Sequence, residues 1–497
     1  MKISAFFSPL SLLPVVVLAA GQPSPATGQH AFSAVQPELF DASGAQSVAW
    51  ADYDNDGDLD LAVTFKNRPN RLYQNRDGIF VDVAQQVGWH RDISDARVLA
   101  WGDYDGDGHL DLYLGYGKDT AIRNRLYRNL GDGKKFKDVA PELGLDLIGT
   151  TRQSSWLDYD GDGDLDLFVA MRDRRNYLFA QQNGAFTNVA KKVGVADPRR
   201  TVGATWFDFD NDNDLDLFVA NQNGDRDGFY RNDSGVFVDI AQQLNIDQPR
   251  RAVTDGSVGA AVCDYDKDGD LDLFVATYSA NKMYINDGNG KFTDSASEMK
   301  VAGNYHGVAA ECGDFNNDGW DDIYITGYWS GILGYRDYLY QNGLADQGHF
   351  TEVLPANIAK RDGDHGVRFA DYDNDGDLDL ALASNHQQGH HQLFRNDGKT
   401  ANNIRILKVS VLAKGSANQL IGAVVQVYQA GTDKLLGTKM VDTGGGYNSQ
   451  NVQPLHFAID YRGKVDIRVT TMNKALPALM TNTDLSAEKI HRITLVL

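Results

Sequence analysis

Short apolar runs, four to six residues long, recur along the chain between polar turns, and they come in fixed groups. The first run of a group reads SVAW (47–50), VLAW (98–101) or GATW (203–206). The second reads LAVTF (61–65), LYLGY (112–116) or LFVAN (217–221). Next comes RLYQN (71–75), RLYRN (125–129) or KMYIN (282–286), and after a turn FVDVA (80–84), FKDVA (136–140) or FVDIA (237–241). Runs this short, rich in β-branched and aromatic residues and joined by NRDG, GDG or NDSG, are hairpin-linked strands. Each group therefore predicts four antiparallel strands.

An acidic loop separates the first and second run of every group. It occurs seven times, at 52–60, 103–111, 158–166, 208–216, 264–272, 314–322 and 371–379, with spacings of 51, 55, 50, 56, 50 and 57 residues. Four strands repeated seven times predict an all-β, seven-bladed β-propeller with four-stranded blades. The last group has strands at 367–370, 380–384 and 392–396 but lacks a fourth. FSAVQPEL (32–39) aligns with FVDVAQQV (80–87) and is expected to supply it, closing the ring and removing its open edges.

The loops read Asp-x-Asp-x-Asp-Gly-x-Leu-Asp. Carboxylates at positions 1, 3, 5 and 9 with a carbonyl at position 7 form an oxygen cage suited to calcium. The expected ligands are Asp52, Asp54, Asp56, Asp58 and Asp60 in the first loop, then Asp103, Asp105, Asp107, His109 and Asp111. They continue with Asp158, Asp160, Asp162, Asp164 and Asp166, and with Asp208, Asp210, Asp212, Asp214 and Asp216. Loops five to seven bring Asp264, Asp266, Asp268, Asp270 and Asp272, then Asp314, Asn316, Asp318, Trp320 and Asp322, then Asp371, Asp373, Asp375, Asp377 and Asp379. An EF-hand would need Glu at position 12. Here that position holds Val63, Leu114, Val169, Val219, Val275, Ile325 and Leu382, so the loop joins strands. The alternative is a polar Asp turn without metal. Asn213 replaces Gly in loop four, which is tolerable because Asn visits the left-handed region. Loop six, with Asn316, Trp320 and Asp321, is expected to be the weakest site.

Charge sharpens this picture. The chain carries 68 acids against 47 bases, a net −21, and 33 of the acids sit in the seven loops with one base, Lys267. The rest of the chain is net positive, so the acidity is concentrated where a cation would neutralise it. About seven structural Ca²⁺ ions are expected. Each site at tenfold saturation contributes about 1.4 kcal/mol.

These residues resemble the FG-GAP/VCBS repeat family, which includes the propellers of integrin α-subunits; the Val-Gly-Ala steps at 202–204 and 258–260 fit the eponymous segment. The resemblance covers about residues 30–398 and implies calcium-binding Asp loops with a supporting role. Residues 402–497 carry no Asp loop and alternate short strands, ILKVSVL (406–412), IGAVVQVY (421–428), GGGYNSQNVQPLHF (444–457) and VDIRVT (465–470), expected to form a small transthyretin-like β-sandwich. IGAVVQVY and GGGYNSQ…LHF resemble the ASPIC/UnbV domain. That domain follows FG-GAP repeats in bacterial homologues of cartilage acidic protein.

Residues 1–20, MKISAFFSPLSLLPVVVLAA, read as a secretory signal with cleavage after Ala19 or Ala20, followed by a linker at 21–29. An uncleaved anchor is the alternative. The protein is expected to be secreted or periplasmic. The acidic balance argues against nucleic acid. Two Cys exclude a disulfide scaffold. No internal run is long and apolar enough for a membrane span. Cys263 and Cys312 stand before loops five and six, offset by one position, which favours two buried thiols over a disulfide.

No Ser-His-Asp order, phosphate loop or zinc motif marks an enzyme. The face opposite the Asp loops offers Tyr116, Tyr278, Trp329, Tyr335, His386, His390 and His391, together with Arg172, Arg174, Arg175 and Arg226. Aromatic residues beside Arg suit sugars or anionic polymers; ordinary loop packing is the alternative. The His386/His390/His391 trio is a candidate transition-metal site. By alignment Glu311 and Arg368, with His306 and His365 nearby, form a buried pair beside the pore. The leading function is an extracellular platform for a glycan or protein ligand. The alternatives are a polysaccharide lyase or hydrolase and a purely structural matrix protein.

Overall fold

The computed structural model describes residues 31–497, apart from 118–121, 132, 304–305, 329–335, 359–363, 387–388, 415, 418 and 473–478. The expected signal at 1–20 and linker at 21–29 lie outside the described residues, as do Trp329 and Tyr335.

Among the described residues the chain is all-β apart from two single-turn helices, Ala140–Leu143 and Ala190–Val193. The repeat folds as the apolar runs predict. In the first unit Ala45–Ala51, Asp60–Arg68, Arg71–Arg76 and Ile79–Asp82 pair antiparallel in sequence order. Four further units form the same four-stranded sheet. The second unit does so inside a larger sheet, because Lys66 and Arg68 also pair with the strand Ser94–Gly102. In the last unit the fourth strand is Phe32–Ala34 from the start of the described chain, antiparallel to Gln392–Asn396. The fourth strands are shorter than the apolar pattern suggests. Phe136–Asp138 stops where the helix Ala140–Leu143 begins, and Thr351–Glu352 is two residues long.

The innermost strands are buried along their length. A large ring two residues before each early Asp loop fills the gap between sheets. Trp50, Trp101 and Trp156 stack on Tyr372, Tyr53 and Tyr104, the position-2 residue of the preceding unit's loop, at 6.1, 6.3 and 6.1 Å. An amide at the end of each third strand ties the same neighbours. Asn129 donates to the Tyr53 carbonyl at 2.9 Å, Asn286 to Phe209 at 2.8 Å and Asn396 to Phe315 at 2.7 Å. Asn75 donates to Tyr372 at 3.1 Å and so joins the first unit to the last.

Cys263 and Cys312 form a disulfide with Cα atoms 6.6 Å apart, and both are only partly buried, contrary to the expectation of two buried thiols. The one-position offset is the cause of the pairing. Adjacent inner strands are staggered, so the residue just before one loop faces the residue two before the next. A Cβ on Gly102 would press on Trp156, and one on Gly313 on Phe369, with this same offset. Cys312 thus stands where Trp101 and Trp156 stand in earlier units.

The C-terminal region forms two more sheets. Arg405–Leu412 lies between Leu455–Ile459 and Ile490–Val496, and Val424–Gln429 lies between Leu435–Met440 and Lys464–Thr470, with Leu479–Asp484 at the edge. Leu407, Val409, Val425, Val427, Phe457, Val465 and Ile467 make their common core. The segment 442–453 does not join them as the strand pattern implied.

Candidate functional site

Each Asp loop folds around its own carboxylates. In the first loop Asp52 accepts the amides of Asp56 and Gly57, both at 3.0 Å, and Asp56 accepts the Asp58 amide at 3.0 Å. The last of these bonds recurs in all seven loops. Asp60 sits at the base and accepts from Tyr53 and Asn75, so position 9 ties the loop to its own sheet. Position 4 has a left-handed backbone at Asn55, Asn211, Lys267, Asn317 and Asn374, as has position 6 at Gly57 and at Asn213. Nothing lies within 4 Å of a Cβ built on Gly57, so backbone conformation alone selects glycine there.

Positions 1, 3 and 9 converge. Asp52/Asp54/Asp60, Asp103/Asp105/Asp111, Asp158/Asp160/Asp166, Asp208/Asp210/Asp216 and Asp264/Asp266/Asp272 each place three carboxylate oxygens within 4.8 Å of one another. Such groups can hold a metal ion. Buried carboxylate oxygens of Asp54, Asp210, Asp264, Asp266 and Asp371 have no hydrogen-bond partner. An unpaired carboxylate oxygen out of water is costly, and a hard cation is the partner that all-oxygen donors fit. Burial, aided by the neighbouring acids, pushes Asp60, Asp166 and Asp272 up to about 9, and Asp208 and Asp264 up to about 7. Without a counter-cation these groups resist ionisation.

Loops six and seven differ, because lysines reach them. Lys439 pairs with Asp321, and Lys267 lies 4.9 Å from the centre of the Trp320 ring. Asn316 folds back on Asp318 at 2.9 Å. In loop seven Lys408 pairs with Asp371 at 2.6 Å, both side chains buried. Lys408 and Lys439 come from the C-terminal sheets, which pack across the Asp-loop face. Ser416 and Ala417 bind Asp103, Gln426 binds the Gly269 carbonyl, and His456 lies against that of Gly376.

From those sheets the segment 442–453 runs into the central channel. Thr443 bonds both backbone groups of Trp206, Gln450 both of Trp156, and Asn451 the amide of Trp50. Ser449–Gln450 pairs in parallel with the inner strand Ser94–Gly102. A Cβ on Gly446 would collide with the Val367 carbonyl, which accounts for a glycine in the GGGYNSQ motif. Arg368 pairs with Glu311 at 3.1 Å, as alignment predicted, and with Asp442 at 3.2 Å, so the pair anchors this segment.

The segment turns at Tyr447 and Asn448, both left-handed, near the channel end opposite the Asp loops. There the Tyr447 hydroxyl accepts from Arg97 at 2.9 Å and from Arg152 at 3.3 Å. Burial alone would raise the phenol, but the two guanidiniums outweigh it and hold it below its usual value. Burial, then Arg97, holds Arg152 down at about 10. Rings run outward from Tyr447: His365 at 5.1 Å, Tyr328 at 5.9 Å from His365, and His306 stacked on Tyr278 at 4.6 Å. Every inner strand has a register shift close to this end.

The sequence singled out Tyr278, His306 and His365 but missed Arg97, Arg152 and Tyr447. The arginines stand six residues before their Asp loops, where units four to six carry Val202, Val258 and Val308, and that departure is visible in the sequence. The other candidates on this face scatter. Tyr116 is buried with its hydroxyl on Asp92 at 2.8 Å, and Arg174, Arg175 and Arg226 are exposed and separately engaged. The histidine trio does not converge outward. His391 is buried against the Tyr73 hydroxyl at 2.7 Å, and burial pushes it down to about 3. His390 pairs with Asp41.

The repeat matches the FG-GAP-like repeat model at residues 52–114, 116–169, 158–219, 208–275 and 264–325, more than half of the chain. The chain belongs to the FG-GAP-like repeat family. Cartilage acidic protein 1 of Xenopus tropicalis is 24% identical to this FG-GAP chain over 485 residues, covering 88% of the chain and 72% of the relative. The human protein of that name is 23% identical over 492 residues, with 88% and 71% covered. Among solved structures, a chain of the BBS1N–ARL6DN complex aligns with a TM-score of 0.45 at 12% identity, covering 73% of this chain and 98% of that one. An Agrocybe aegerita lectin specific for non-reducing terminal N-acetylglucosamine aligns with a TM-score of 0.40 at 16% identity, covering 72% and 91%.

Proposed function

We propose that this FG-GAP protein is a secreted or periplasmic binding platform, a propeller stabilised by about seven calcium ions that presents a glycan or protein ligand site. One observation carries the reading. The C-terminal sheets lie on the Asp-loop face, which leaves the opposite end of the channel as the end where non-repeating polar and aromatic side chains gather. In this proposal the ligands are positions 1, 3, 5 and 9 of each loop with the position-7 carbonyl, from Asp52 to Asp379. Calcium would neutralise the loops and lock the turn between inner strands, which is a structural role. The division into a signal at 1–20, a linker at 21–29, a propeller at 30–398 and an ASPIC/UnbV-like sandwich at 402–497 belongs to the same proposal. The Cys263–Cys312 disulfide supports an oxidising compartment outside the cytosol.

Calorimetric titration of the calcium-loaded protein with neutral and acidic polysaccharides tests the platform. A saturating heat is expected. Sustained heat after each injection would mean turnover and replace the platform with an enzyme. Silence across the panel would remove the glycan and leave a protein ligand.

A further inference from the structure

At the channel end opposite the Asp loops a buried charge has no carboxylate partner among the described residues. Arg152 is 7% exposed, and its buried Nε has no hydrogen-bond partner. Among the described residues its guanidinium meets a phenol, Tyr447, and no carboxylate. Asp95 acts on it only from farther away. That carboxylate is already engaged by Arg97 at 2.9 Å and by Gln46 at 2.7 Å. Two guanidiniums and one carboxylate thus surround a single phenol. An uncompensated buried charge is expensive, and a bound anion would offset that cost.

The surroundings narrow what that partner is. A guanidinium with free N–H groups in a plane matches a carboxylate in two-point geometry. Beside it stand half-buried ring faces, with Tyr278 stacked on His306 and Tyr328 5.9 Å from Tyr278. Such faces take the apolar side of a pyranose ring. The partly exposed Asn385, held by the buried Gln46 at 3.3 Å and His365 at 2.8 Å, suits a hydroxyl group. An acidic peptide would satisfy the arginine but gives no reason for stacked rings next to it.

We propose that this channel mouth is a receptor for a carboxylate-bearing saccharide, a uronate unit, whose carboxylate binds Arg152 while its ring lies against Tyr278, His306 and Tyr328. The assignment rests on the platform reading and specifies its ligand. The 442–453 segment forms the floor of the site through Tyr447, so the C-terminal region contributes to a site on the far side of the propeller from its own sheets.

The test uses the full calcium-loaded chain and a short oligogalacturonate, with its carboxyl-reduced counterpart as the neutral arm. The wild type is expected to bind the acidic oligomer at least about tenfold more tightly than the reduced one. Arg152→Met should lose at least about tenfold in affinity for the acidic oligomer only, with an unchanged or higher Tm, because a buried unpaired cation has been removed. Arg152→Lys, which keeps the charge but not the planar fork, should fall between; it also serves if the Met variant does not fold. Equal binding of both oligomers, unaffected by either variant, would overturn the uronate site and leave a glycan platform standing. Wild-type silence toward both would overturn the site and take the glycan from the platform reading as well.

Discussion

The two ends of the propeller channel are built on opposite principles. At one end a nine-residue loop occurs seven times, each closed by the same bonds from its amides to its own carboxylates. At the other end the units differ: the strand position that holds Arg97 and Arg152 in units two and three holds Gln46, valine or His365 in the others, Tyr278 and His306 come from further units, and Tyr447 arrives from another part of the chain altogether. Repetition suits a task that every unit shares, holding its inner strands together. A site for one ligand on the axis needs different groups from different units. On the proposed platform reading, the conspicuous motif of this chain marks its scaffold, and recognition is to be sought where the repeat is broken.

Removing metal should have the largest effect and only at the Asp-loop end. If the loops hold calcium, excess EDTA is expected to lower the Tm by on the order of 10 °C or more, as several sites each contribute about 1.4 kcal/mol. An unchanged calorimetric melt would refute the calcium assignment. The metal-free protein should respond to pH in a set direction. Asp60, Asp166 and Asp272, at about 9, stand above their unfolded value of 3.8. Groups raised in this way add stability that is full below pH 4 and is lost as pH rises toward 9. In EDTA the Tm should therefore be higher at pH 5 than at pH 8. With calcium present the order should reverse, because the metal needs the ionised carboxylates.

Next in size is the disulfide. It closes a loop with a sequence separation of 49, and replacing both cysteines by Ser should cost about 4 kcal/mol, read from denaturant unfolding. An effect below about 1 kcal/mol would mean that the inner strands of units five and six are held by their own packing. Asn129→Ala should cost about 2–3 kcal/mol, since it leaves the buried Tyr53 and Leu110 carbonyls unpaired. The same change at an exposed amide such as Asn289 should cost almost nothing. The smallest effect is expected within the repeated end itself. Asp54→Ala should reduce the calcium count by one. Asn316→Ala in loop six should weaken binding much less, because Lys439 and Lys267 already offset part of that loop's charge. Equal losses from the two variants would show that loop six is a full site.

Much of this architecture was legible because it is local. Period-two apolar runs, hairpin turns and Asp spacing depend on residues close in sequence, and a pattern repeated seven times averages out local noise. Asn75, Asn129 and Asn396 recur at the end of the third run, but their role is not legible locally, since the partner lies in the neighbouring unit. The cysteine pairing is hidden for the same reason: the stagger between adjacent inner strands is a property of the ring and of no single strand. The glycines of GGGYNSQ fit a strand pattern equally well, because nothing local distinguishes a sheet segment from one that enters a channel.

The sequence alone thus determined the strand content, the number of repeats, the strand that completes the last unit and the acidic loops, all of which follow from short-range pattern and stereochemistry. Tertiary structure alone decided that the C-terminal sheets pack on the Asp-loop face, that residues 442–453 run along the axis, and that Arg97 and Arg152 meet Tyr447, 350 and 295 residues away in the chain. Those contacts depend on closing a ring and inserting a distant segment into it. Such long-range packing leaves no periodic trace in the residues that make it.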